Sequence, residues 1–185
     1  MGGEEATGRG VFLTLSAAAD DLGMALSSSR AVVQGFGQVG SHLASLLSET
    51  GCRSVAVSDV YGGIFNADGI DISALKEHVR KTGSVKDFPG TDPVANDRIF
   101  AVECDIAVPA AVHDVIHTEN AGEIRARLIV EGANGPITDG ADAILNDKGV
   151  TIVPDVVANS GGATVCHFER TQGLSDQYWE IETVQ

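Results

Sequence analysis

Six residues of this chain, Gly35-Phe36-Gly37-Gln38-Val39-Gly40, have the types and spacing to hold a diphosphate. The first glycine permits a tight turn, the second lets a pyrophosphate approach the backbone, and the third lets a helix pack on the strand before it. Such a run is common by itself, so its context decides its meaning. Arg30 to Gln34 leads in as a strand, and Gln38 to Ser48 carries Val39, Leu43, Leu46 and Leu47 at helical spacing. The N-terminus of that helix would face the phosphates with its partial positive charge. Asp59 ends the next strand, 19 positions after Gly40, where an acidic residue accepts hydrogen bonds from an adenosine ribose. Two plainer readings stand beside these: a tight strand–helix turn of another α/β fold, and an exposed strand-end carboxylate.

Other candidate chemistry is thinner. His113 and His117 are four apart, a spacing that can pair on zinc when it falls on a helix. No third ligand is evident, and a solvated turn or helix face is the plainer expectation; no metal is expected. Glu103, Asp105, Asp114 and Glu131 form no obvious carboxylate pair, and no GxSxG element joins a nucleophile to a base. Cys52, Cys104 and Cys166 are odd in number and far apart, with no CxxC pair, so a reducing cytoplasm is the expected setting.

The elements that must position these residues alternate. A helix is expected over Gly10–Leu26, ended by Ser27-Ser28-Ser29, and others over Gln38–Ser48, Ile72–Thr82 and Asp139–Asp147. Strands are expected at Ala31–Val33, Ser54–Ser58, Ile106–Val108, Leu128–Val130 and Thr151–Val153. Tyr61–Asp71 is a glycine-rich connection with room for a small hairpin around Asn66-Ala67-Asp68-Gly69, and Lys86–Asp97 reads as irregular. Asp155 onward reads as helix interrupted at Gly161-Gly162, with Gln172 to Gln185 helical. The strands are apolar runs separated by helices, which indicates a Rossmann-like doubly wound α/β fold, a mostly parallel sheet with helices on both faces.

Composition narrows the class. With 185 residues, one medium domain fits better than two. Hydrophobic content of 43% and charged content of 21% are ordinary for a globular body. A net charge of −14 with no Lys/Arg cluster argues against nucleic acid and against an anionic membrane surface. No apolar run approaches the ~18 residues that span a bilayer, and the N-terminus Met1-Gly2-Gly3-Glu4-Glu5 is too polar and acidic for a signal peptide.

Taken in order, several segments make a more specific pattern: Ala6-Thr7-Gly8-Arg9-Gly10-Val11, Gly35 to Gly40, Ser58-Asp59, Asp105 to Ala111, Glu131-Gly132-Ala133-Asn134-Gly135-Pro136, and Pro154 to Gly162. This pattern resembles the nucleotide-binding domain of glutamate dehydrogenases, within the Glu/Leu/Phe/Val dehydrogenase family, over nearly the whole chain. The resemblance implies NAD as cofactor, with NADP not excluded. It sets Gly35 to Gly40 on the pyrophosphate and Asp59 and Val60 at the adenosine ribose. Thr7 would hold the nicotinamide amide, with Gln38 near that end of the cofactor. Ala133 and Asn134 would lie near the nicotinamide ribose, and Asn159 near both nicotinamide and amino acid. Asn134 has a plainer reading as a turn residue in Ala-Asn-Gly-Pro, and Asn159 as a residue that caps or interrupts a helix. Asp59 would repel a 2′-phosphate, and Val60-Tyr61 offer no cation to hold one.

Two departures touch the substrate. Cys166 stands where the family commonly has a serine on the substrate side-chain carboxylate, and Arg170 where an aromatic is usual; the plain reading of Cys166 is a small buried thiol. The reaction implied is oxidative deamination of L-glutamate to 2-oxoglutarate and ammonia, and relatives are usually homo-hexamers. That chemistry needs a lysine of lowered pKa and a proton-moving carboxylate, which the family draws from an N-terminal substrate domain. Lys76, Lys81, Lys86 and Lys148 lie in no matching glycine-rich segment. The chain is therefore expected to be one cofactor domain, residues 1–185, without that substrate domain and inactive alone. Alternatives left open are a non-catalytic nucleotide-sensing module, a leucine, phenylalanine or valine dehydrogenase, and an oxidoreductase of malic-enzyme or tetrahydrofolate-dehydrogenase type.

Overall fold

Five short apolar runs pair in parallel. β1 (Arg30–Gln34) lies between β2 (Arg53–Asp59) and β5 (Ile106–Pro109), with β6 (Leu128–Val130) and β7 (Thr151–Val153) farther out. Val32, Val33, Ala56, Val57, Ala107 and Ile129 are buried whichever face they point to, which is why the strands read as unbroken apolar runs. β3 (Gly62–Phe65) and β4 (Asp92–Val94) add an antiparallel margin. This computed structural model describes residues 3–175, and within them one seven-stranded sheet runs β4-β3-β2-β1-β5-β6-β7.

Both faces are covered. On one side α1 (Gly3–Asp21) and α2 (Gln38–Glu49) bring Val11, Leu15, Leu43 and Leu47 onto Ala31, Ile106 and Leu128. Beside them α3 (Ile72–Thr82) sets Leu75 against Val57 and Ile64. On the other side α4 (Asp139–Asp147) and two 3-10 turns, Asn96–Ala101 and Ala121–Glu123, put Leu145, Ile99 and Ala121 over Val32, Ala56 and Ile129. Fully buried leucines such as Leu15, Leu43 and Leu47 each contribute about 1.5–3 kcal/mol relative to exposure. α5 (Asp155–Ala158) and α6 (Gly161–Ser175) follow β7. α6 lies close on α1 through small residues: a methyl on Gly161 would strike the Ala6 carbonyl.

The expected fold class is what forms, with local differences. α1 begins at Gly3 and ends at Asp21 instead of spanning Gly10–Leu26. Its first turn carries acidic Glu5, which suits a helix N-terminus. It ends early because Gly23 adopts φ +63 and the Met24 N–H donates back to the Ala19 carbonyl. The hairpin turns at Val60-Tyr61, between β2 and β3. Asn66–Gly69 forms a separate turn after β3, where the Gly69 N–H donates to the Asn66 carbonyl. The stretch read as irregular holds β4, whose Pro93 suits an outermost strand. The helix expected over 172–185 lies, beyond Ser175, outside the described residues.

Candidate functional site

The glycine turn joins β1 to α2 as its residue types dictate. Gly35 takes φ +95, and a side chain there would meet the Ala110 carbonyl at 2.8 Å. A methyl on Gly40 would collide with the Gly35 carbonyl, so α2 can pack this closely only on glycine. Gly37 is different. Its φ of −79 and ψ of −158 suit any residue, it is exposed, and nothing lies within 4 Å of a Cβ built on it. Neither backbone nor packing demands glycine at 37. Gly37 is also the N-cap of α2 and supplies no side chain to its first amides. α3 and α4, by contrast, are closed by Asp71 and Thr138, which accept from Ala74 N at 2.9 Å and Ala141 N at 3.4 Å. An open helix start with a side-chain-free approach is a seat for an anion. Gln38 is exposed beside it, and Val39 packs against the α1–α2 cluster. The Phe36 side chain is buried with Val57, Ile64 and Leu75, so Phe36 presents only backbone there.

The turn sits where the chain reverses its course through the sheet, between β1 and β5, the crevice in which open α/β sheets bind ligands. Ala110 N donates to Gln34 O at 2.8 Å, and Gly132 N and Ala133 N both donate to Pro109 O, at 3.0 and 2.9 Å. The ends of β1, β5 and β6 are thereby drawn together. Asp59, the glycine turn, Ala133-Asn134 and Asn159 follow one another along the carboxyl edge from β2 to β7, a span of four strand spacings, roughly 19 Å.

Asp59 is held firmly. Its carboxylate accepts from Tyr61 N at 2.8 Å and from Val85 N at 2.7 Å, and each oxygen retains capacity for a further donor. Val60 and Tyr61 project into solvent, 83% and 66% exposed. Sequence reading found no cation here, but the Lys86 stem runs past Gly62, with Cδ 3.5 Å from a Cβ built on that glycine. A lysine stem therefore packs on the hairpin that follows the acid.

At the other end, Asn159 Nδ2 donates to Asn134 Oδ1 at 2.7 Å, so the two asparagines form a pair. A ring of contacts that sequence reading missed surrounds them. Glu131, 8% exposed, accepts from Asp155 N at 2.9 Å. Asp155 in turn accepts from Gly135 N at 2.8 Å and Val156 N at 2.6 Å. Burial pushes the Glu131 carboxyl above its ordinary value, while the bond from the Asp155 amide pulls it back. The carboxylates sit 24 positions apart in sequence; a strand-end acid with no nearby cation was the one available hint.

Thr7 lies on α1 at this corner, since a Cβ on Gly162 would strike its hydroxyl. Cys166 is exposed, which corrects the expectation of a small buried thiol. α6 turns its neighbour Val165 inward, and the next residue points away. The buried thiols are Cys52 and Cys104, which burial pushes up to about 12. Arg170 is also exposed. His113 and His117 lie on a turn and not on a helix: His113 Nδ1 is 3.0 Å from Asp114 Oδ2, with Asp114 at φ +54. Among the described residues no three His, Cys, Asp or Glu side chains gather to hold a metal, and no helix is long and apolar enough to cross a membrane. Lys76 contacts Ser45, Lys81 pairs with Glu77, and Lys148 donates to carbonyls of Gly122 and Ile124, all away from the glycine turn.

Sheet order, glycine turn and strand-end acid together define an open α/β domain of the doubly wound kind. Comparison with known proteins makes this specific. The family model for Glutamate/Leucine/Phenylalanine/Valine dehydrogenase matches residues 1–185. Glutamate dehydrogenase of Thermotoga maritima is 44% identical over all 185 residues, which correspond to 44% of that protein. Among solved structures, the hetero-hexameric glutamate dehydrogenase of Thermus thermophilus, in a leucine-bound form, superposes with a TM-score of 0.90 at 32% identity, over 98% of this chain and 42% of that one. The enzyme of Peptoniphilus asaccharolyticus gives 0.80 at 30% identity, over 99% and 42%. The chain belongs to the Glu/Leu/Phe/Val dehydrogenase family, and it spans less than half the length of these relatives.

Proposed function

We propose that residues 1–185 form the cofactor-binding domain of an NAD-dependent amino acid dehydrogenase acting on L-glutamate and 2-oxoglutarate. The observation that carries this reading is Gly37: a glycine that the fold does not need, at an uncapped helix start in the β1–β5 crevice. There a pyrophosphate would rest on the first amides of α2. Asp59 would accept from the adenosine ribose, while Ala133, Asn134, Asn159 and Thr7 would lie at the nicotinamide end, with Cys166 toward the substrate. When bound, the cofactor would supply the acceptor for a hydride leaving the amino acid Cα.

This chain's own work is to bind, orient and shield. No lysine stands by the asparagine pair to polarise a carbonyl; in this reading that group and the proton-moving carboxylate would be supplied by a substrate domain of the full-length enzyme. That enzyme is expected to be a cytoplasmic homo-hexamer. Asp59 favours NAD over NADP, and Lys86 is the group that would work against that preference. Calorimetric titration of this chain with NADH and NADPH tests the reading. Saturable NADH binding, tighter than NADPH, with no glutamate-dependent NADH formation, is expected. No heat and no melting shift with either dinucleotide overturns it.

A further inference from the structure

We propose that Glu131 and Asp155 are positioning residues that fix the Asn134–Asn159 pair for the nicotinamide end of the cofactor; this rests on the cofactor reading above. Glu131 is almost wholly buried, yet among the described residues neither it nor Asp155 pairs with a cation. Two like charges side by side, one of them desolvated, oppose folding. A sheet end that had only to be stable would carry an apolar residue there. Departures of this kind concentrate at functional sites.

What the carboxylates hold is specific. Glu131, at the end of β6, takes the first amide of α5 through Asp155 N. Asp155 takes Gly135 N, and Gly135 sits at φ +53, so the turn carrying Asn134 is pinned in a left-handed bend. α5 ends in Asn159, whose amide meets Asn134. The ring closes: β6 end, α5 start, Asn134 turn, α5 end. With Asn159 Nδ2 donating to Asn134 Oδ1, the Asn134 Nδ2 group is left to donate and the Asn159 Oδ1 atom to accept, with no other partner among the described residues. A donor and an acceptor held side by side match a carboxamide or a ribose hydroxyl. Shifts of either backbone segment would spoil that match, and the two carboxylates tie down the backbone next to Asn134 and at the start of the helix that ends in Asn159.

The test compares NADH with ADP, which lacks the nicotinamide and its ribose, by equilibrium titration of this chain. Asp155→Ala and Glu131→Ala are expected to weaken NADH binding roughly tenfold while ADP binding stays within about twofold. Glu131→Gln, whose amide oxygen can still accept from Asp155 N, is expected to keep NADH affinity near that of the parent. A purely structural role would move both ligands together. Melting temperatures identify any variant that fails to fold, and the half-exposed Asp155 keeps the test open if Glu131→Ala does. Unchanged NADH affinity in both alanine variants, equal weakening of both ligands, or a parent that binds NADH no better than ADP would each overturn the positioning role alone. A parent that binds neither ligand removes the proposed function, and this role with it.

Discussion

A methyl group at Gly37 should separate binding from folding. The φ and ψ there are open to any residue and the space around the Cβ is empty to 4 Å. Gly37→Ala therefore gains about 0.4–1 kcal/mol by restricting the unfolded chain. It loses a similar amount because alanine is a poorer N-cap than glycine. The net is within about 0.5 kcal/mol, a melting temperature within roughly 2 °C of the parent for a domain of this size. Binding behaves differently, because the methyl occupies the approach to the α2 amides. Loss of one charge-assisted hydrogen bond costs about 1.5–3 kcal/mol, so NADH affinity falls roughly 10- to 150-fold. Gly40→Ala is the control: its methyl collides with the Gly35 carbonyl, and overpacking of about 1–3 kcal/mol lowers the melting temperature by roughly 2–12 °C. Differential scanning fluorimetry with NADH titration reads both effects. A Gly37→Ala variant that binds like the parent, or melts as early as Gly40→Ala, refutes the assignment of that space to a phosphate.

Thiol titration with a chromogenic disulfide should count one reactive cysteine in the native chain and three after denaturation, because Cys166 is exposed while burial holds Cys52 and Cys104 protonated; three fast thiols would mean that the core is not packed as described. Glu131 has a raised folded pKa, so it binds its proton more tightly folded than unfolded, and the stability it contributes is lost as pH rises from the ordinary carboxylate range toward that raised value. Measured against Glu131→Gln, the parent should become relatively less stable over that interval, and a difference that is flat or rises with pH contradicts the buried, cation-free setting. Lys148 Nζ donates to the carbonyls of Gly122 at 2.8 Å and Ile124 at 2.7 Å; Lys148→Met should cost about 1 kcal/mol given its exposure, a melting shift of roughly 2–4 °C, and an unchanged melting curve would show these bonds to be idle.

The glycine turn was legible because each residue type answers a local demand: a positive φ at Gly35, a close approach at Gly40, an unbroken apolar strand before it and helically spaced apolar residues after it. β3 and β4 were less so. Their pairing joins residues about thirty positions apart, Gly63 with Val94 and Phe65 with Asp92, and strands of three or four residues leave almost no periodicity to read. The Asn66–Gly69 turn signal was real but served the exit from β3 and not the hairpin. The asparagines could be placed only through the family pattern. Their mutual bond and the Glu131–Asp155 ring depend on bringing the ends of β6 and β7 side by side, which no spacing along the chain encodes. The approach of the Lys86 stem to Gly62 is hidden along the chain for the same reason.

The outermost strand has a consequence for assembly. β4 offers three residues to a would-be neighbour, two of them exposed: acidic Asp92, and Pro93, which has no amide hydrogen to give. A strand from another molecule would find too short a ladder there, a missing donor and a negative charge. Copies of this chain are thus barred from zipping sheet to sheet along that border.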